Sequence, residues 1–164
     1  MKRHPQANAL ILRVLTEAQF EFAVVGGVAA ILHGASRMTT DLDLIAPFDA
    51  DNLLRLVAAL RPHRPVHATR PELSLLDEPP ERLARFRLFL IETTLGRLDV
   101  LREVAPIGDY AHVETIEADL LGQRVRVISR DQLITIKRSV GRPKDLEVAL
   151  ELEALRERDR PGGG

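Results

Sequence analysis

The residues with the clearest chemical potential are two aspartates one residue apart, Asp41 and Asp43, in the run TTDLDLIA. If DLDLIA is a strand, alternate side chains share a face. Asp41 and Asp43 then point the same way from about 7 Å apart along the chain, while Leu42 and Leu44 point into a core. Two carboxylates aimed into one cleft repel each other and are stable mainly beside a cation. Oxygen-only ligands suit a hard ion such as Mg²⁺ or Mn²⁺. A bare Asp-x-Asp is also compatible with a solvated edge strand, but the leucines and isoleucine around this one argue for a central strand ending at a cleft.

A glycine pair, Gly26 and Gly27, precedes the aspartates, between the strand-like run FAVV and a short helical stretch from Val28 to Leu32 that Gly34 can terminate. Glycines between strand and helix are ordinary turn residues. Here they also open a helix whose free N–H groups suit phosphate oxygens. A third acid, Asp99, lies in RLDVL. Taken singly it is a surface residue or an ion-pair partner of Arg97 or Arg102. If its hairpin lies beside the Asp41 strand, three carboxylates converge and can hold two divalent ions about 4 Å apart.

The elements needed to position these residues can be read in order. Asn8 is placed to cap a first helix through ALILRVLTEAQ, with Leu10, Ile11, Val14, Leu15 and Ala18 as its apolar stripe. Asp49 caps a helix through DADNLLRLVAAL after Pro47 stops the aspartate strand. The stretch 61–80 holds five of the ten prolines and reads as loop, with one short strand near Val66. PPERLARF starts a short helix, RLFLIET and RLDVL form a hairpin through Leu95 and Gly96, and VETIEADLLGQRVRVIS forms a second hairpin turning at 121–123. Ser129 with Gln132 is a capping-box signature for a helix through QLITIKRSV, which Gly141 ends. Pro143 opens a last amphipathic helix. This order specifies an α/β (α+β) fold, a mixed central sheet flanked by helices. A single domain is expected over 1–160, with a flexible tail at 161–164.

At 164 residues, 45% hydrophobic and 29% charged, the composition is that of one globular domain. The absence of Cys excludes thiolate metal sites and a catalytic thiol, and fits a reducing cytoplasm. No run reaches membrane-spanning length, so a soluble cytoplasmic protein is expected. The formal charge of −1 argues against nucleic-acid binding by bulk charge, yet 124–144 carries seven Lys or Arg and one acid, Asp131. Lys137, Arg138, Arg142 and Lys144 are read as a basic wall for a triphosphate or an RNA acceptor, and Asp145 as the holder of Lys144 or Arg142. His33, beside apolar residues, reads as a packed, hydrogen-bonded histidine in preference to a base.

The run VVGGVAAILHGASRMTTDLDL followed by LDV resembles the nucleotidyltransferase superfamily of the DNA polymerase beta type, in a minimal form. With His33, Gly34, Arg37, Thr40 and Asp41 it resembles nucleotidyltransferase-like proteins of prokaryotic toxin-antitoxin and abortive-infection systems. The resemblance implies a nucleotidyltransferase-like fold and an ATP- or other NTP-dependent transferase that releases pyrophosphate. It implies metal binding and catalysis by Asp41, Asp43 and Asp99, with two Mg²⁺ or Mn²⁺ ions. Gly26, Gly27, Arg37, Thr40 and Lys137 are the implied nucleotide contacts. Partners implied are an NTP, a protein or RNA acceptor and a cognate toxin or antitoxin. A noncatalytic, antitoxin-like binding protein that keeps the fold is the alternative. Gly27 stands where many relatives have serine, so backbone donors must serve the phosphates.

Overall fold

A computed structural model describes residues 6–162. The expected tail at 161–164 therefore lies partly outside the described residues. The elements in order are α1 (Asn8–Glu17), β1 (Ala23–Val25), α2 (Gly26–Leu32), β2 (Leu42–Ile45), α3 (Ala50–Leu60), β3 (Val66–His67), β4 (Arg70–Ser74) and α4 (Pro80–Leu83). They continue with β5 (Leu88–Thr93), β6 (Gly96–Leu101), β7 (Glu103–Val104), β8 (Gly108–Asp109), β9 (Thr115–Leu120), β10 (Gln123–Ile128), α5 (Arg130–Val140) and α6 (Pro143–Arg158).

Eight strands form one mixed sheet in the order β4-β3-β5-β6-β2-β1-β10-β9, and β7 and β8 make a separate small ribbon. The aspartate strand is central, as its apolar neighbours require. β2 runs antiparallel to β1 on one side and parallel to β6 on the other. Leu42 and Leu44 are buried, as are Leu98 and Val100 of β6, so these residues of both strands face one core while Asp43 and Asp99 lie on the other side, where Ile45 is buried beside Asp43. α1 packs against α3, and α5 packs against α6 and α2. β5 and β6 form the expected hairpin, as do β9 and β10.

Several local expectations are corrected. Ala7, not Asn8, occupies the cap position of α1 and makes no side-chain cap bond. Asn8 is the first helical residue, and its side chain instead accepts from Gln6 at 2.7 Å and donates to the Thr40 carbonyl at 3.2 Å. The buried stripe of α1 is Ile11, Leu12 and Leu15, while Leu10 is exposed. The proline-rich stretch is more ordered than a loop: β3 and β4 pair and extend the sheet beyond β5. Its prolines lie at or beyond this edge, where a missing N–H costs no central ladder bond. The capping box at Ser129 is half formed. Ser129 Oγ accepts from the Gln132 N–H at 3.2 Å, but the Gln132 amide turns away to the Glu114 N–H and the His112 carbonyl. Asp49 caps α3 as expected, accepting from the Asn52 N–H at 2.8 Å.

Candidate functional site

The site is built on three adjoining pieces of backbone: the β1–α2 junction, β2 and β6. Register places Asp43 directly opposite Asp99 across the parallel β2–β6 pair. Neighbouring strands lie about 4.8 Å apart, so these two carboxylates are close neighbours on one face. Asp41 stands just before β2 and is exposed, whereas Asp43 is half-buried. On the other flank Val25 pairs with Asp43, and the chain turns into α2 at Gly26.

Gly26 has a φ of +70°, a left-handed conformation, and a Cβ built there would collide with Asp43 Oδ2. A Cβ on Gly27 would come within 2.8 Å of the Thr39 side chain. The glycine pair therefore does more than turn the chain. It brings the start of α2 against the Asp43 carboxylate and against the 35–41 loop.

The electrostatics follow from this crowding. Burial, then the charges of Asp99 and Asp41, push the Asp43 carboxyl up to about 6, with Lys137 and Arg97 acting in the opposite direction. Asp99 is itself engaged, accepting from Arg97 Nε at 3.1 Å. The ion-pair reading of Asp99 and its position beside the aspartate strand thus hold together in one arrangement. Oxygen donors repelling one another in a half-buried cleft fit a hard divalent cation, which Asp41 and Asp43 would hold. Among the described residues, however, no three His, Asp or Glu side chains are grouped closely enough to hold an ion.

Beside the carboxylates opens a cavity of about 600 Å³ whose walls include Gly27, Arg37, Thr39, Lys137, Arg142 and Lys144. Asp145 is 4% exposed at its wall and organises the cations. It accepts from Arg142 Nε at 2.7 Å and from Lys137 Nζ at 3.3 Å. The Arg142 hydrogen bond, and then that of Lys137, hold the Asp145 carboxyl below the usual carboxylate range. The expected holder of Arg142 is thus also the holder of Lys137. Thr40 is not among the cavity walls; its neighbour Thr39 is. His33 Nε2 lies 2.7 Å from the Ile128 carbonyl and donates to it, the packed role expected of it.

The wider basic segment is less free than its composition suggests. Arg124 pairs with Glu117 and Asp119, Arg126 with Glu21, Arg130 with Asp159 and Arg138 with Glu153. The basic wall is consequently confined to the cavity, and Arg138 belongs to the α5–α6 contact. Two participants had no signal in the sequence. Gln6 accepts from the Arg97 N–H at 2.8 Å and donates to the Arg97 carbonyl at 2.7 Å, fixing β6 beside the site. Met38, 91% exposed, stands at the cavity mouth.

Comparison with solved structures resolves the fold. The chain superposes on the lincosamide antibiotic adenylyltransferase LnuA, bound to lincomycin, with a TM-score of 0.60 and 14% identity over 94% of this chain and 99% of that one. This chain has the nucleotidyltransferase fold. An antigenic nucleotidyltransferase-like protein from Paracoccidioides brasiliensis matches at a TM-score of 0.56 and 19% identity, over 96% of this chain and 79% of that one. ANT(2″)-Ia in complex with adenylyl-2″-tobramycin matches at 0.52 and 20% identity, over 90% and 91%. By sequence the chain matches no family model and no curated protein. The likeness to nucleotidyltransferases is therefore one of backbone architecture, reached at low sequence identity. Among the described residues no helix is long and apolar enough to cross a membrane.

Proposed function

We propose that this nucleotidyltransferase-fold chain acts over 1–160 as a metal-dependent enzyme. It transfers a nucleoside monophosphate from an NTP to an acceptor hydroxyl and releases pyrophosphate. The observation that carries this reading is the register of Asp43 with Asp99 beside a cavity walled by cations. Asp41 and Asp43 would hold a divalent ion, which when bound supplies positive charge to phosphate and acceptor oxygens. Lys137, Arg142, Arg37 and Lys144 bind the phosphates, and the glycine pair lets the nucleotide approach the backbone of α2. Asp99, with one oxygen held by Arg97, keeps the other to accept the proton of the attacking hydroxyl.

The acceptor class read from the sequence is protein or RNA, in a toxin-antitoxin setting. LnuA, a lincosamide antibiotic adenylyltransferase, and ANT(2″)-Ia, in complex with adenylyl-2″-tobramycin, supply a second class, an antibiotic-like small molecule. The opposing reading, a noncatalytic partner-binding protein, draws on the engagement of Asp99 by Arg97.

Label transfer tests these alternatives. Each NTP, labelled at the α-phosphate, is incubated with Mg²⁺ or Mn²⁺ and with separated protein, RNA and small-molecule fractions of a lysate. Label should enter one fraction with wild type and not with the Asp41→Asn, Asp43→Asn double variant. Equal transfer by both proteins would sink the enzymatic reading.

A further inference from the structure

The sequence resemblance implies two ions, but the structure puts a protein cation on the third carboxylate. Arg97 and Asp99 are two residues apart on β6, hence on the same face, and their side chains meet at 3.1 Å. Both are substantially covered, at 30% and 21% exposed, so this is not a solvated surface pair. The arginine's backbone is fixed on one side, and an acid stands opposite it across the strand pair. Gln6 bonds its N–H and its carbonyl, and Glu92 is its cross-strand partner on β5. An arginine cannot lose its charge under ordinary conditions, and its planar guanidinium matches a carboxylate.

We infer that Arg97 is a resident cation of the site, standing at Asp99 in place of a second divalent ion, so that the chain holds a single such ion on Asp41 and Asp43. The inference rests on the nucleotidyltransferase reading above. An ion bridging Asp43 and Asp99 would have to share Asp99 with the guanidinium, against direct charge repulsion. An ion on Asp41 and Asp43 shares neither carboxylate with the guanidinium, whose hydrogen-bond partner is Asp99; toward those two Arg97 acts only as a more distant charge.

Electron paramagnetic resonance of Mn²⁺ added alone to the full chain counts ions per chain without reliance on turnover. Wild type should bind one ion at saturation, the Arg97→Gln variant two, and Arg97→Gln with Asp99→Asn one again. Asp41→Asn with Asp43→Asn should remove the single wild-type ion. Two ions on wild type, or one on a folded Arg97→Gln variant, overturns the inference and leaves the nucleotidyltransferase reading standing. No ion on wild type, or one that survives loss of Asp41 and Asp43, removes the metal ligands of that reading and the inference with them. The wild-type count decides even if Arg97→Gln does not fold.

Discussion

Asp43 concentrates the conflict between stability and chemistry. Its carboxyl titrates near 6 in the folded chain because burial and two neighbouring aspartates oppose its charge. The unfolded chain ionises it near 4. Between those values the native state holds the proton and the unfolded state does not, so stability falls as pH rises from about 4 to about 6. The loss should be on the order of 2 kcal/mol. Urea melts in chelating buffer across this range should show it, and Asp43→Asn should flatten the profile and raise stability at pH 7. A divalent ion would act in the opposite direction, favouring the ionised side chain. The spacing of Asp41 and Asp43 and their flanking leucines made this residue legible in the sequence. The arginine lodged on Asp99 was legible only as one of two candidate partners, because i,i+2 residues on a strand share a face but sequence does not select the rotamer.

At the scale of elements, α5 and α6 form the cationic wall through one buried acid. Asp145 ties Lys137 of α5 to Arg142 at the start of α6. Asp145→Asn should weaken both contacts while leaving the β2–β6 carboxylates in place. The expected result is a several-fold rise in KM for the NTP with kcat changed less, and a stability loss of about 2 kcal/mol. Steady-state kinetics with a fixed acceptor, together with a denaturant melt, would separate these effects. A fall in kcat at unchanged KM would place Asp145 in a different role. Most elements were legible from periodicity, glycine turns and the Asp49 cap. The short strand at Val66 was legible, but its β4 partner was not, because β4 is largely exposed and contains a proline, and edge strands draw their order from the neighbour they join. The basic run likewise reads as a patch in one dimension, while its acids arrive from β9, α6 and the α1–β1 connection in three.

For the molecule as a whole, Asn52 is a joint that sequence gave no reason to notice. Only 3% exposed on α3, its side chain accepts from the Glu21 N–H at 2.8 Å and donates to the Glu21 and Pro47 carbonyls at 3.0 Å each. It thereby ties together the chain entering β1 and the chain leaving β2, the two central strands of the glycine-aspartate unit. Asn52→Ala would orphan these backbone groups and should cost about 2–4 kcal/mol of global stability. A thermal melt gives the direct measure; a loss under 1 kcal/mol would mean that water replaces the amide. The mixed sheet with flanking helices was readable as a class, since alternating strand and helix signals surround the aspartates. Its strand order was not, because the β2–β6 and β1–β10 neighbours are far apart in the chain.

The collision between a side chain at position 26 and the carboxylate at position 43 gives the molecule a kind of memory. The two positions occupy one volume, so a lineage keeping the aspartate is confined to glycine at 26. A lineage that discarded the aspartate for a smaller residue would be released from the steric half of that constraint, keeping only the preference of a left-handed backbone for glycine or asparagine. A residue other than glycine at 26 should therefore be accompanied by a change at 43.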